Sequence, residues 1–326
     1  MIIRNLCRLL FPGGRRARLS ILIFHRVLPE QDPLFPDEID AARFEKVCAW
    51  LSAWFNVLPL DEAVRALAQG RLPERAVAIT FDDGYADNHE IALPILQRHG
   101  LNATFYISTG FLDGGLMWND VVIEAVRGCR GTTLDLAGWL DDQGPSQYDL
   151  ASVAARRAAV AGIIARIKYL EPQARLRLAH AVAERAGVSL PVDLMMTSAQ
   201  VRALHQAGMR IGGHTVSHPI LARLDDDLAA QEIQQGRDRL EALIGAPVTL
   251  FAYPNGRPGE DYDARISGLV RRAGFSCAVS TSWGAASVAE ADLYQLPRFT
   301  PWDRTAWRFV ARLWRNLHTP ATYCAS

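Results

Sequence analysis

The chain has 326 residues, 49% of them hydrophobic and 21% charged, enough for one large α/β domain or two small ones with a full apolar core. Lys+Arg and Asp+Glu balance at 35 each, which excludes a global field favouring nucleic acid or an acidic polymer and makes any charge argument local. The five cysteines, Cys7, Cys48, Cys129, Cys277 and Cys324, form no C-x-x-C pair; this excludes a disulfide framework and a zinc-knuckle pattern, and suits a reducing compartment.

Residues 1–18 hold five arginines and no acid. Arg4 and Arg8 break the first apolar run, leaving it too short for a signal-peptide core. No run approaches the ~20 residues of a membrane span, so cytoplasmic residence is expected, with attachment to the inner face of a membrane left open. Ser20–Phe24 reads as the first strand, followed by helices over Ala41–Leu51 and Leu60–Ala68. Val77–Phe81 is the second strand, Asp87–His99 a helix closed by Gly100, and Ala103–Ile107 the third strand. Asp113–Asp193 shows no strand signal; Leu150–Ala186 reads as helical apart from Pro172, and the whole segment as a helical insertion on one face of the domain. Regular alternation then resumes. Thr197–Gln206 is a Thr-capped helix before the strand Met209–Gly213, and Leu224–Ile244 a long helix before the strand Val248–Tyr253. Asp261–Ala273 is the next helix, Ser276–Thr281 and Tyr294–Phe299 the last strands, and Asp303–His318 a closing amphipathic helix. Near-continuous apolarity in several strands implies burial on both faces, as in a (β/α) barrel or doubly wound parallel sheet.

Ligands of such folds bind at the carboxyl ends of the strands. Four predicted strand ends carry unusual polar residues: His25 after SILIF, Asp82 and Asp83 after VAITF, His214 and His218 after MRIGG, and Asn255 after VTLFAYP. The spacing His214-x-x-x-His218 suits two imidazoles on one helical turn or across a compact loop, both turned to one cation. A carboxylate from a neighbouring strand would complete a His₂Asp set with positions left for water and substrate. Zinc accepts that set, as do iron, cobalt and nickel, and cation-bound water is a good nucleophile near neutral pH. The second aspartate then has a use as base. Taken singly, D-D-G is an ordinary polar turn and H-x-x-x-H an ordinary pair of solvated histidines; their joint occurrence carries the reading.

Thr-Phe-Asp-Asp-Gly-Tyr (80–85), the strand ATFYI and Ile-Gly-Gly-His-Thr-Val-Ser-His-Pro (211–219) closely resemble the polysaccharide deacetylase family, the NodB-homology carbohydrate esterases. The resemblance runs from about Ile21 to Pro301, outside the insertion. It implies a distorted (β/α)₇ barrel that hydrolyses the amide of N-acetylated amino sugars with one divalent metal ion, zinc first among the candidates. It also implies a division of the chain into a basic segment 1–18, a barrel 19–302 containing the insertion 113–193, and a helix and tail 303–326. By the same resemblance Asp82 is the general base, Asp83, His214 and His218 are the metal ligands, and the backbone N–H of Asn255 in FAYPNG serves the oxyanion hole. Tyr85 and Tyr253, within the motifs, are candidate substrate contacts.

Two departures matter. Many family members brace the catalytic aspartate with an arginine in the third motif, where this chain has Ala252; Arg298, in LPRF, is the candidate replacement, with a surface salt bridge as its other reading. Many also carry a Leu-x-His near the C-terminus whose histidine is the general acid. That motif is missing from the last strand, while ILIFHRV resembles the branch acting on extracellular poly-N-acetylglucosamine, in which the histidine is permuted to the first strand. His25 is therefore the candidate acid, with a hydrogen-bonding role in the barrel mouth as the alternative.

Trp118, Asn119 and Asp120 in MWND either contact sugar or anchor the next helix, and Trp283 is similar in kind. In the last helix, Ala306, Trp307, Val310, Leu313, Trp314 and Leu317 form one apolar stripe with Arg304, Arg308, Arg312 and Arg315 mainly opposite. That pattern fits packing on the barrel or lying in a membrane interface. The expected activity is release of acetate from an N-acetylated glycan or lipid-linked precursor, the alternatives being a carbohydrate-binding protein without catalysis and an O-acetyl esterase.

Overall fold

The structure is a computed structural model that describes residues 2–140, 144–288 and 292–324. In chain order its elements are α1 (Ile2–Leu10), β1 (Arg18–Phe24), α2 (Ala41–Trp54), β2 (Asn56–Val57), α3 (Leu60–Ala68), β3 (Ala76–Phe81), α4 (Leu93–Arg98) and β4 (Thr104–Ile107). Next come α5 (Trp118–Gly128), β5 (Thr133–Asp135), β6 (Gln147–Asp149), α6 (Val153–Ile167) and α7 (Pro172–Ala186). The chain continues with α8 (Ser198–Gln206), β7 (Arg210–Gly213), α9 (Asp226–Ile244), β8 (Leu250–Ala252), α10 (Ala264–Arg272), β9 (Cys277–Val279), β10 (Ala286–Ser287) and α11 (Ala306–Leu317). Residues 1–30, 39–112 and 196–326 form one compact unit; 31–38 and 113–195 form another.

In the larger unit β1, β3, β4, β7, β8 and β9 run parallel in that order, with β10 antiparallel on β1 and β2 parallel on β3. The sheet curls into the distorted (β/α)₇ barrel that the motifs imply. Strand alternation divides the core. Leu19, Ile21, Ala78, Tyr106, Leu250 and Val279 belong to one buried cluster, which includes residues of α3. Leu22, Phe24, Ile79, Phe81 and Phe105 belong to another, which includes residues of α2, α4, α9, α10 and α11. The predicted seventh strand, Tyr294–Phe299, pairs only through single bridges, Leu296 with Val279 and Phe299 with Leu22. Pro297 in its middle has no N–H for a regular ladder, yet the segment still spans from β9 to β1 as a seventh stave.

Register places the strand ends. Phe24 lies opposite Phe81 and Phe81 opposite Phe105, and their rings stack with centroids 5.3 and 4.8 Å apart. His25 and Asp82 therefore leave the sheet side by side. Gly213 lies opposite Ile107 and Phe251, which brings His214 to the same rim. A side chain at Gly212 would stand 2.4 Å from the Tyr106 ring, so only glycine leaves room for that tyrosine.

The helix expected over Asp87–His99 begins instead with a wide turn, Asn88–Ala92, whose Leu93 N–H reaches Asn88 O. Pro94 lacks the N–H that Glu90 O needs for an α-turn, so the chain widens there.

The smaller unit departs from its all-helical expectation. β5 and β6 form an antiparallel hairpin, with Leu134 opposite Tyr148 and both buried between exposed flanks. Two three-residue strands leave too short an alternation to read from sequence. Its helices pack around Val121, Val122, Ile163 and Val182. Pro172 opens α7 rather than breaking a helix, and the Glu171 carboxylate accepts from Gln173 N–H and Ala174 N–H, both at 2.9 Å.

In α11, Phe309, Val310, Leu313 and Leu317 enter the main core. The predicted single stripe is thus split: Trp307 and Trp314 stay outside it, 55% and 41% exposed. No helix among the described residues is long and apolar enough to cross a membrane.

Candidate active site

Alternation along β3 carries Asp82 to the side of Ala78 and Thr80, where it meets Arg298. The guanidinium grips the carboxylate in two bonds, Nη1 to Oδ1 and Nη2 to Oδ2, each 2.7 Å. Both side chains are buried, at 0% and 3% exposure. Arg298 Nε donates to Ser280 O (2.8 Å) and Nη1 to Thr80 Oγ1 (3.3 Å), so the fork itself is fixed in direction. Burial favours the neutral acid at Asp82, but the adjacent guanidinium outweighs it and holds the carboxyl below its usual range. The pair is not at the surface, which disposes of the surface-salt-bridge reading of Arg298.

Asp83 points elsewhere. Its backbone is left-handed, φ 79°, and ends the strand alternation at once. Asp83 Oδ1 lies 3.3 Å from His214 Nε2 and 3.4 Å from His218 Nε2. It is buried without a hydrogen-bond partner. Two donors about 2.1 Å from a tetrahedral cation stand about 3.4 Å apart, which is the spacing of Asp83 Oδ1 from each histidine, and all three donors lie within 4.8 Å of one another. His214 Nδ1–H donates to Ala252 O at 2.7 Å, a bond that leaves the Nε2 lone pair turned to Asp83. Burial pushes His214 down, but Asp83 and the charge of Asp82 outweigh it and hold its pKa up. At His218 burial dominates and lowers the pKa to about 4. The chemistry and spacing of these donors fit one divalent cation.

The second histidine is held by structure that sequence reasoning missed. Glu232, on α9, accepts from Val216 N–H (2.9 Å), Ser217 N–H (2.8 Å) and the Ser217 hydroxyl (2.7 Å). His218 N–H donates to Thr215 Oγ1 (3.1 Å), and Ser108 Oγ donates to His214 O (2.9 Å). His218 itself is left-handed, φ 52°, a conformation the loop must impose. Glu232→Ala is expected to lower stability by about 1–3 kcal/mol and cation affinity by about 10–100-fold. Thermal melting and a metal titration of the variant check both numbers. Nothing in the sequence around Glu232 marks it, because its partners are backbone groups of a distant loop.

His25 is exposed beside this centre, and a charge on its ring reaches Asp82, Asp83 and His218. Its carbonyl accepts from Asn88 Nδ2 (2.9 Å), while Asp87 accepts from Arg26 Nε (2.8 Å) and Val27 N–H (3.1 Å). The residues after the aspartate pair thus tie the His25 loop to the β3 turn, a role that sequence reasoning also missed. Asn255 is exposed with φ 58°, and its carbonyl accepts from Thr281 Oγ1 at 2.9 Å.

The substrate-contact candidates fare less well. Tyr253 is 1% exposed, stacked on Tyr262 with centroids 3.8 Å apart, and its hydroxyl donates to Tyr294 O. It presents no surface to a sugar, because its ring is spent on the core. Tyr85 is buried with the Arg26 guanidinium 4.7 Å from its ring centre. Trp118, Asn119 and Asp120 form the first turn of α5 in the smaller unit, where the Arg175 guanidinium covers Trp118 at 4.8 Å and Asp120 is buried.

The profile of the family described as polysaccharide deacetylase matches residues 69–129 and 178–278. The chain is 22% identical over 284 residues to YxkH of Bacillus subtilis (strain 168), whose name describes a polysaccharide deacetylase; the match covers 86% of this chain and 71% of that protein. Among solved structures it is similar to the Streptococcus pyogenes deacetylase PplD in complex with acetate, with TM-score 0.57 and 20% identity over 87% of this chain and 92% of that one. It is likewise similar to IcaB from Ammonifex degensii, with TM-score 0.57 and 18% identity over 94% of this chain and 98% of that one. These structures share the fold, and the matched segments contain Asp82, Asp83, His214 and His218. The chain belongs to the polysaccharide deacetylase family.

Proposed function

We propose that this protein is a metal-dependent amidohydrolase that removes acetyl from N-acetylated amino sugars of a glycan. The observation that carries the reading is a fully gripped carboxylate, Asp82, beside a second one, Asp83, that shares its open oxygen with two histidines. Asp83, His214 and His218 would hold the cation. When bound, that cation (zinc by its donor preferences, with cobalt, nickel and iron also suited) supplies Lewis acidity and a water nucleophile near neutral pH.

The chain's own groups do the rest. Asp82, kept ionised and aimed by Arg298, takes the proton from the attacking water. The Asn255 N–H donates to the oxygen on which negative charge develops, a contribution worth about 3 kcal/mol at comparable sites. His25, at the solvent side, gives its proton to the departing amine as the C–N bond breaks. The products are acetate and a free amino sugar. PplD was captured with acetate, which suits a pocket that ends its cycle holding that product.

Incubation with N-acetylglucosamine oligomers is expected to release acetate and free amine in equal amounts, with loss on chelation and recovery on adding zinc or cobalt. Acetate without amine, from O-acetylated glycans alone, would assign an esterase. No acetate from any acetylated glycan, with metal loaded, would contradict the proposal.

A further inference from the structure

We infer that the face formed by α1, α2 and α11 docks on an anionic lipid bilayer. This surface is separate from the catalytic reading and does not depend on it. The two terminal helices meet on α2 through a chain of rings: Phe11 lies on Phe55 (5.2 Å), Phe55 on Phe309 (6.1 Å) and Phe309 on Trp50 (5.6 Å). With these rings buried or half-buried, both terminal helices pack beside α2 and leave their outer sides to solvent.

Those outer faces are aromatic and basic. On α11, Trp307 and Trp314 stand two turns apart on the exposed side. Arg304, Arg308 and Arg315 are exposed around them. On α1, Leu9 is 83% exposed between Arg8 and the Arg15–Arg16 pair. Trp50 and Trp54 are stacked and half-buried on α2, and Trp50 lies against Phe309 of α11. Arg8 reaches Glu74 at 3.3 Å. Among the described residues, no carboxylate pairs with Arg4, Arg304, Arg308 or Arg315. Residues 1–18 contain five arginines and no acid in a chain whose formal net charge is zero, so positive charge is concentrated in that segment.

Exposed tryptophans flanked by arginines match the headgroup layer of a bilayer. The indole ring sits at the apolar–polar boundary, and each arginine near an anionic surface adds to the attraction. A simple solubilising face would use the arginines without the tryptophans, and a face for a neutral bilayer the tryptophans without the arginines. The depth involved is that of a peripheral contact, since no described helix can span.

The test is sedimentation of the full chain with phosphatidylglycerol-containing vesicles and with pure phosphatidylcholine vesicles, at low and high salt. Binding to the anionic vesicles, weakened by salt and absent from the neutral ones, is the expected result. Removing three charges (Arg304→Gln, Arg308→Gln, Arg315→Gln) should weaken it by about a hundredfold. Trp307→Ala with Trp314→Ala should weaken binding at every salt concentration. All these side chains are exposed, and an unchanged thermal melt of each variant separates lost binding from lost folding. Equal sedimentation of wild type and variants would overturn the inference. So would failure to bind anionic vesicles at low salt, or retention by a soluble acidic polysaccharide in place of vesicles.

Discussion

Arg298→Met is expected to cost about 3–5 kcal/mol of stability and to reduce turnover by about a thousandfold or more. The stability loss follows from what remains: Asp82 is buried, and its two oxygens lose both 2.7 Å bonds to Arg298. An unpaired carboxylate in that position takes up a proton instead, which also removes the base. The sign of the pH dependence follows. Arg298 depresses the folded-state pKa of Asp82, so the stability contributed by the pair is present above the unfolded carboxylate range and is lost as pH falls through the folded value. Pairing Arg298→Met with Asp82→Asn should restore much of the stability, because no buried charge is stranded. It should restore no turnover. Thermal melts and acetate-release rates of the two single variants and the double variant separate the structural role of the arginine from its role in aiming the base.

The second large effect divides the adjacent aspartates. Asp83→Asn removes the negative charge from the ligand that faces both histidines, and is expected to lose the cation together with activity. Asp82→Asn leaves Asp83, His214 and His218 in place, so it should keep the cation while turnover falls by about a hundredfold to ten-thousandfold, the range for loss of a general base. What allows neighbours to differ so sharply is local backbone. Asp82 is still in strand phase and faces Arg298; Asp83, at φ 79°, turns to the histidine loop. Holding Asp83, His218 and Asn255 in the left-handed region costs about 1–3 kcal/mol each. The strand register, the Glu232 bonds and the ring stack of Phe24, Phe81 and Phe105 sustain those conformations.

Much of this centre was legible in the chain because strand alternation and strand ends are local signals. VAITF ending in D-D, and MRIGG ending in H-x-x-x-H, place four polar side chains on one rim once the strands run parallel. Arg298 was harder: it lies over two hundred residues from Asp82, and only the missing arginine at Ala252 drew notice to it. Glu232 and the Ala252 carbonyl were not legible, since each acts on backbone or ring atoms of a distant segment. Tyr253 misled because a motif position says nothing of which way the ring turns; here it stacks on Tyr262. The split of α11 shows the same limit. Periodicity found one stripe, whereas Phe309 took an inward place and Trp307 and Trp314 an outward one.

Metal content measured per chain in purified Asp82→Asn and Asp83→Asn, beside wild type loaded in the same zinc solution, tests the division of labour most directly. One equivalent of zinc in Asp82→Asn with background turnover, and none in Asp83→Asn, is the predicted result. Zinc lost from Asp82→Asn but retained by Asp83→Asn would contradict it and exchange the roles of the two aspartates.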